Sequence, residues 1–250
     1  MRSFLGRVQG VTVYKSDVVV RRSGGSANRD PVPRGEVKEF SYKSRQRLAF
    51  VAANTDVKFR TMITLTYPKE FPSDGEKVKR DLRAFLDFIR RDLEHPFYLW
   101  FLEFQRRGAP HIHMLIDWPM PIGVLAKREV RFRVSATWYR IVGSGDEKHL
   151  AAGTRTGVLR SPEGGAHYAV KYAMKMYQKC VPEGYRNVGR FWGCSRAVIP
   201  KPKAILRCTE DDIRGRLEGW KYEPKEDQDV YACLYGVADR FPEKDTTEEL

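Results

Sequence analysis

Two histidines one residue apart, His111 and His113, interrupt an otherwise apolar run, HIHMLI, at residues 111–116. In a strand, successive side chains point to opposite faces, so both imidazoles project from one side while Ile112, Met114 and Ile116 supply the other with its core. Imidazoles roughly 7 Å apart on a rigid strand can converge on one metal ion. Upstream, Glu103 stands inside the apolar stretch WFLEFQ, where a buried carboxylate is costly unless it is paired or metal-bound. A loop of five residues, 106–110, places Glu103 opposite His113 and Gln105 opposite His111, whereas a four-residue loop without a bulge turns Glu103 to the other face. Two imidazoles and a carboxylate favour a harder ion such as Mg²⁺ or Mn²⁺ and leave coordination positions open.

A second group, YAVKYAMK at residues 168–175, sets Tyr168 and Tyr172 four residues apart and repeats that spacing in Lys171 and Lys175. On a helix each pair shares a face. Tyrosines at this spacing also suit a core stripe, but an ammonium one turn from each phenol fits a nucleophile. A phenol of pKa about 10 must lose its proton to attack, and a nearby cation favours the charged form.

These groups need elements to hold them. The spacing predicts a helix over 41–54, a strand over 60–68 with Thr64 and Thr66 on its wet face, and an amphipathic helix over 76–93. Strands follow at 97–105 and 111–117 around the turn RRGAP. Residues 122–142 fit either element and read as a helix on length; 153–161 reads as a strand and 164–179 as a helix. Strand, helix, strand, strand is the opening of an α+β domain.

The net charge is +13, and it is uneven: 13 Lys and Arg against 5 Asp and Glu in residues 1–60, 26 against 14 in 61–208, and 6 against 13 in 209–250. A basic body is what neutralising phosphates requires, so nucleic acid is the expected partner. We divide the chain into a basic, partly flexible N-terminal segment (1–40), a main domain (41–205) and an acidic, solvated C-terminal tail (206–250). The four cysteines show no C-x-x-C spacing and read as reduced thiols. With no apolar leader and no membrane span, the chain is expected in the cytoplasm.

Three blocks in order, TLTYP (64–68), EFQRRGAPHIHML (103–115) and YAVKYAMK (168–175), closely resemble the rolling-circle replication initiators of the HUH endonuclease superfamily, particularly the two-tyrosine phage and plasmid group. The likeness extends over about residues 40–200 and includes WYRIVGSGDEKHL and GRFWGCSR. It implies a ferredoxin-like α+β domain with a central antiparallel sheet. It also implies His111, His113 and Glu103 as ligands of Mg²⁺ or Mn²⁺, Tyr168 and Tyr172 as nucleophiles, and Lys171 and Lys175 as assisting cations. The activity implied is nicking and joining of single-stranded DNA at an origin through a 5′-phosphotyrosine. No G-x-x-x-x-G-K-[ST] phosphate loop is present, so unwinding would fall to a host helicase. The competing readings are a transposase of the same superfamily, a noncatalytic nucleic-acid-binding module, and a small-molecule metalloenzyme built on the His-x-His pair.

Overall fold

The computed structural model describes residues 9–21, 36–94, 96–159, 161, 168, 169, 171, 180–218, 231–234 and 236–241. The chain divides into two compact units, one of residues 34–52 and 57–199, the other of 1–33, 53–56 and 200–250.

The larger unit is built from β3 (Thr61–Thr66), α2 (Gly75–Asp92), β4 (Tyr98–Phe104), β5 (Pro110–Ile116), α3 (Val124–Val142), α4 (Glu147–Ala152), β6 (Thr154–Val158) and β7 (Trp192–Cys194), with most of α1 (Tyr42–Asn54) before them. Its sheet is antiparallel in the order β6-β3-β5-β4-β7. The first four of these strands, with α2 and α3, make the β-α-β-β-α-β arrangement of a ferredoxin-like fold, and β7 extends the sheet beside β4.

Local chemistry explains the elements. The Asp74 carboxylate accepts from the Glu76 N–H at the start of α2. Val78, Leu82, Phe85 and Ile89 of that helix are buried in one cluster with Ile63, Leu65, Ile112 and Met114 of the sheet. From α3, Trp138 is fully buried and lies edge-on to both Tyr67 and Phe85, at 5.2 and 5.9 Å between ring centroids. Between β4 and β5 the turn is tighter than the sequence suggested. Gln105 N–H donates to Ala109 O, Gly108 N–H donates to Gln105 O, and Gly108 takes φ of +81°, a conformation glycine adopts without strain.

The register therefore pairs Glu103 with His111 and Phe101 with His113, two residues from the pairing expected for a five-residue loop. A shift of two keeps every side chain on its expected face, because the side-chain period of a strand is two.

The termini depart from the expected division of the chain. Residues drawn from both ends pair into a second antiparallel sheet, β8-β1-β2-β9, of Gln9–Val13 (β1), Val18–Arg21 (β2), Ala204–Cys208 (β8) and Tyr231–Leu234 (β9), with α5 (Glu210–Arg216) following β8. The N-terminal segment and the C-terminal tail thus supply strands of one small unit with its own core of Val11, Val13, Val18, Val20, Leu206 and Ile213. Composition averages over charged residues and hides the short apolar alternation that drives this pairing. The expected flexible stretch at 22–35 and the chain end at 242–250 lie outside the described residues.

Within this unit Asp17 is 2% exposed, accepting from Asn54 Nδ2 at 2.7 Å and from the Gly236 N–H at 2.9 Å. Replacing Asp17 by alanine leaves two buried donors unmatched and is expected to destabilise the unit by about 3 kcal/mol. Hydrogen exchange should show faster opening of β1 and β2 amides with β3 and β5 unchanged. Equal acceleration in both sheets would refute that assignment.

Candidate active site

The three central strands bring two histidines, a carboxylate and two threonines onto one face. Pairing sets Thr64 beside His113 and Thr66 beside His111 on one side of β5, and Glu103 beside His111 on the other. Thr66 Oγ1 lies 3.0 Å from His111 Nδ1, and Thr64 Oγ1 lies 3.3 Å from His113 Nδ1. With each Nδ1 protonated and donating to a threonine oxygen, each Nε2 keeps a lone pair for a ligand. This is the outer-shell orientation a ligating imidazole needs. The rings are 4.6 Å apart between centroids and nearly perpendicular.

The carboxylate of Glu103 stands 3.4 Å from His113 Nε2, and both side chains are buried. Among the described residues no three His, Cys, Asp or Glu side chains converge in metal-ligand geometry. The strands deliver the imidazole pair side by side, while Glu103 is turned toward His113. The donor chemistry nevertheless fits a divalent cation, since two neutral nitrogens and a carboxylate oxygen are all acceptors.

Burial, the neighbouring His113 and the Arg107 guanidinium push His111 down to about 4, against the opposing pull of Glu103. His111 is accordingly neutral near pH 7, as a ligand must be.

The face expected to be wet is covered. His113 is only 4% exposed, stacked on Phe101 at 5.0 Å, and the Tyr168 ring lies 6.0 Å from it and 6.4 Å from Phe101. Strand alternation assigns a side chain to a face, but only the segment carrying Tyr168 decides whether water reaches that face. Tyr168 and Lys171 are helical, the tyrosine half-buried and the lysine exposed; Tyr172 and Lys175 lie outside the described residues.

Several residues around the site were not singled out from sequence. Arg107, in the hairpin turn, donates to Gln105 Oε1 at 2.9 Å and to the carbonyls of Tyr67 and Pro68, both at 2.6 Å. Gln105 Nε2 in turn approaches His111 Nδ1 at 3.4 Å. The Thr66 carbonyl accepts from Trp138 Nε1 and from His149 Nε2, each at 2.8 Å, and Ser144 Oγ holds the other nitrogen of His149 at 2.9 Å. Thr66 therefore links α3 and α4 to His111. Its place on the polar side of β3 was readable from alternation, but its partners were not. Beyond it, Tyr67 donates to the buried Asp81 carboxylate at 2.9 Å, and burial together with that charge pushes the phenol well up.

Residues 60–177 match a family model of replication-associated proteins, the ORF2 type. No curated protein and no solved structure matches the chain. The matched segment opens at β3 and runs through the imidazole pair to both tyrosines, and it supports a role in DNA replication as an initiator. No helix among the described residues is long and apolar enough to cross a membrane.

Proposed function

We propose that this replication-associated core initiates rolling-circle replication by nicking and rejoining single-stranded DNA at an origin. The observation that carries the reading is the placement of His111, His113 and Glu103 on adjacent strands with the Tyr168 ring 6.0 Å from His113. A nucleophile-bearing helix over a ligand-bearing sheet is what phosphoryl transfer to tyrosine requires.

Glu103, His111 and His113 would hold Mg²⁺ or Mn²⁺, which supplies positive charge to a non-bridging oxygen of the scissile phosphate. Thr64 and Thr66 keep the imidazoles in the ligating tautomer, and the neutral state of His111 leaves its lone pair available. The tyrosine oxygen forms a bond to phosphorus as the bond to the 3′ oxygen breaks, leaving a 5′-phosphotyrosine and a 3′-hydroxyl that takes up the proton. Lys171 and Lys175 favour the phenolate. Because the phosphotyrosine conserves the phosphodiester energy, the 3′-hydroxyl of a strand can later displace it without ATP. Strand separation is left to a host helicase. A transposase of the same superfamily would use the same steps on transposon ends.

The test is incubation of the full chain with a random-sequence single-stranded oligonucleotide library and Mg²⁺ or Mn²⁺, followed by capture under denaturing conditions. Covalent adducts sharing one cleaved sequence are expected, and chelation should abolish them. Binding without any adduct would replace this reading with the noncatalytic module.

Thr66→Val tests the outer shell. It removes the hydroxyl from His111 Nδ1 with little change in volume and should weaken Mn²⁺ binding by about tenfold or more in calorimetric titration. Unchanged affinity would mean that the threonine does not orient the ligand.

A further inference from the structure

Beyond the reacting groups, a band of basic and aromatic side chains runs around the β7 edge of the sheet. It starts beside the site, because β4 pairs Phe101 with His113 on one side and with Trp192 of β7 on the other. His113, Phe101 and Trp192 thus form one cross-strand row. Two strand spacings of about 4.8 Å separate its ends. Trp192 is half-buried, with Nε1 donating to Ser44 Oγ of α1 at 3.2 Å, and it lines a groove of about 560 Å³ together with Arg47 and Arg190.

Gly189 belongs to the wall of that groove and also to a second one, of about 500 Å³, lined by Lys79, Arg80 and Arg83 of α2. Arg47, Arg190, Arg80 and Arg83 are all exposed, and none makes an ion pair with an acid among the described residues. The Lys79 ammonium is buried 4.7 Å over the Trp100 ring and has no hydrogen-bond partner among the described residues. Glu39 and Glu76 are the acids in the two walls, so each groove keeps a cationic surplus.

We propose that this band is a track for one DNA strand, which passes from the site over Trp192 and around the β7 edge, with Arg47, Arg190, Arg80 and Arg83 contacting its phosphates. Cations that follow a backbone and an aromatic ring held beside them are the two features single-strand binding needs. The track rests on the proposed nuclease reading, whose substrate it extends beyond the reacting phosphate.

The experiment measures fluorescence anisotropy of a single-stranded oligonucleotide of about 25 nucleotides, long enough to exceed one site, on the full chain over a salt series. Arg80→Ala/Arg83→Ala and Arg47→Ala/Arg190→Ala should each bind about tenfold more weakly at low salt and reduce the salt slope by about 1.4, at roughly 0.7 per phosphate. Arg128→Ala/Arg131→Ala removes the same charge from exposed positions on α3 and should leave both quantities near wild type. Equal losses in the α3 pair, or none in either track pair, would overturn the track, as would losses seen only with duplex of the same length. Wild-type protein that binds the oligonucleotide but never forms the covalent adduct would overturn the nuclease reading, while the arginine comparison still decides the track.

Discussion

His111→Ala is expected to lower nicking about a thousandfold while the melting temperature stays within a few degrees of wild type. Loss of one of two nitrogen ligands should remove about 4 kcal/mol of charge stabilisation at the phosphate, and each 1.36 kcal/mol is tenfold in rate. His111 is half-buried, held by Thr66 on one side and Gln105 on the other, so its truncation opens little space in the core. His113→Ala should abolish nicking to the same degree but with a cost in stability of about 1–3 kcal/mol, because its ring is buried against Phe101. Nicking in Mg²⁺ or Mn²⁺ and thermal denaturation are measured in parallel on both variants. A His111→Ala protein that nicks at the wild-type rate would remove the histidine pair from the mechanism.

Combined replacement of Tyr168 and Tyr172 by phenylalanine should leave no covalent protein–DNA adduct, whereas each single replacement retains some cleavage or strand transfer. The repeat of Tyr-x-x-Lys places two phenols one helical turn apart, so both can serve one phosphate position in succession. A round of replication ends when the regenerated origin must be cut while the first tyrosine still holds the old 5′ end, and a second nucleophile completes that exchange. Mass spectrometry of trapped adducts from each single variant locates the linkage. If every adduct lies on one tyrosine and the other phenylalanine variant completes replication as wild type does, the second ring is a packing residue. The 6.0 and 6.4 Å contacts of Tyr168 with His113 and Phe101 make it the tyrosine whose loss should also expose the sheet face, readable as faster hydrogen exchange across β4 and β5.

What could be read from the sequence was local. The alternation around His111 and His113, the stripe of Val78, Leu82, Phe85 and Ile89, and the turn signal at Gly108 each depend on residues within a few positions of one another. Strand and helix periods express that range directly. The match over residues 60–177 covers the segment in which this local chemistry is densest.

Tertiary structure decided what distant residues do to one another. That Thr64 and Thr66 would hold the imidazoles depends on β3 pairing with β5 across some 45 residues of intervening chain. The placement of Glu103 depends on how tightly one turn closes. Two residues of register move the carboxylate along the sheet without changing its face, so alternation is blind to the shift. Terminal strands joining β1 to β8 across nearly the whole chain carry no periodic signal of their partnership. Their pairing is selected by the apolar surface that Val11, Val20 and Leu206 bury together, a property of the folded chain and of no single segment. The cover of Tyr168 over His113 belongs to the same class. A strand's sequence assigns its side chains to faces, and only the packing of another element determines which face meets water.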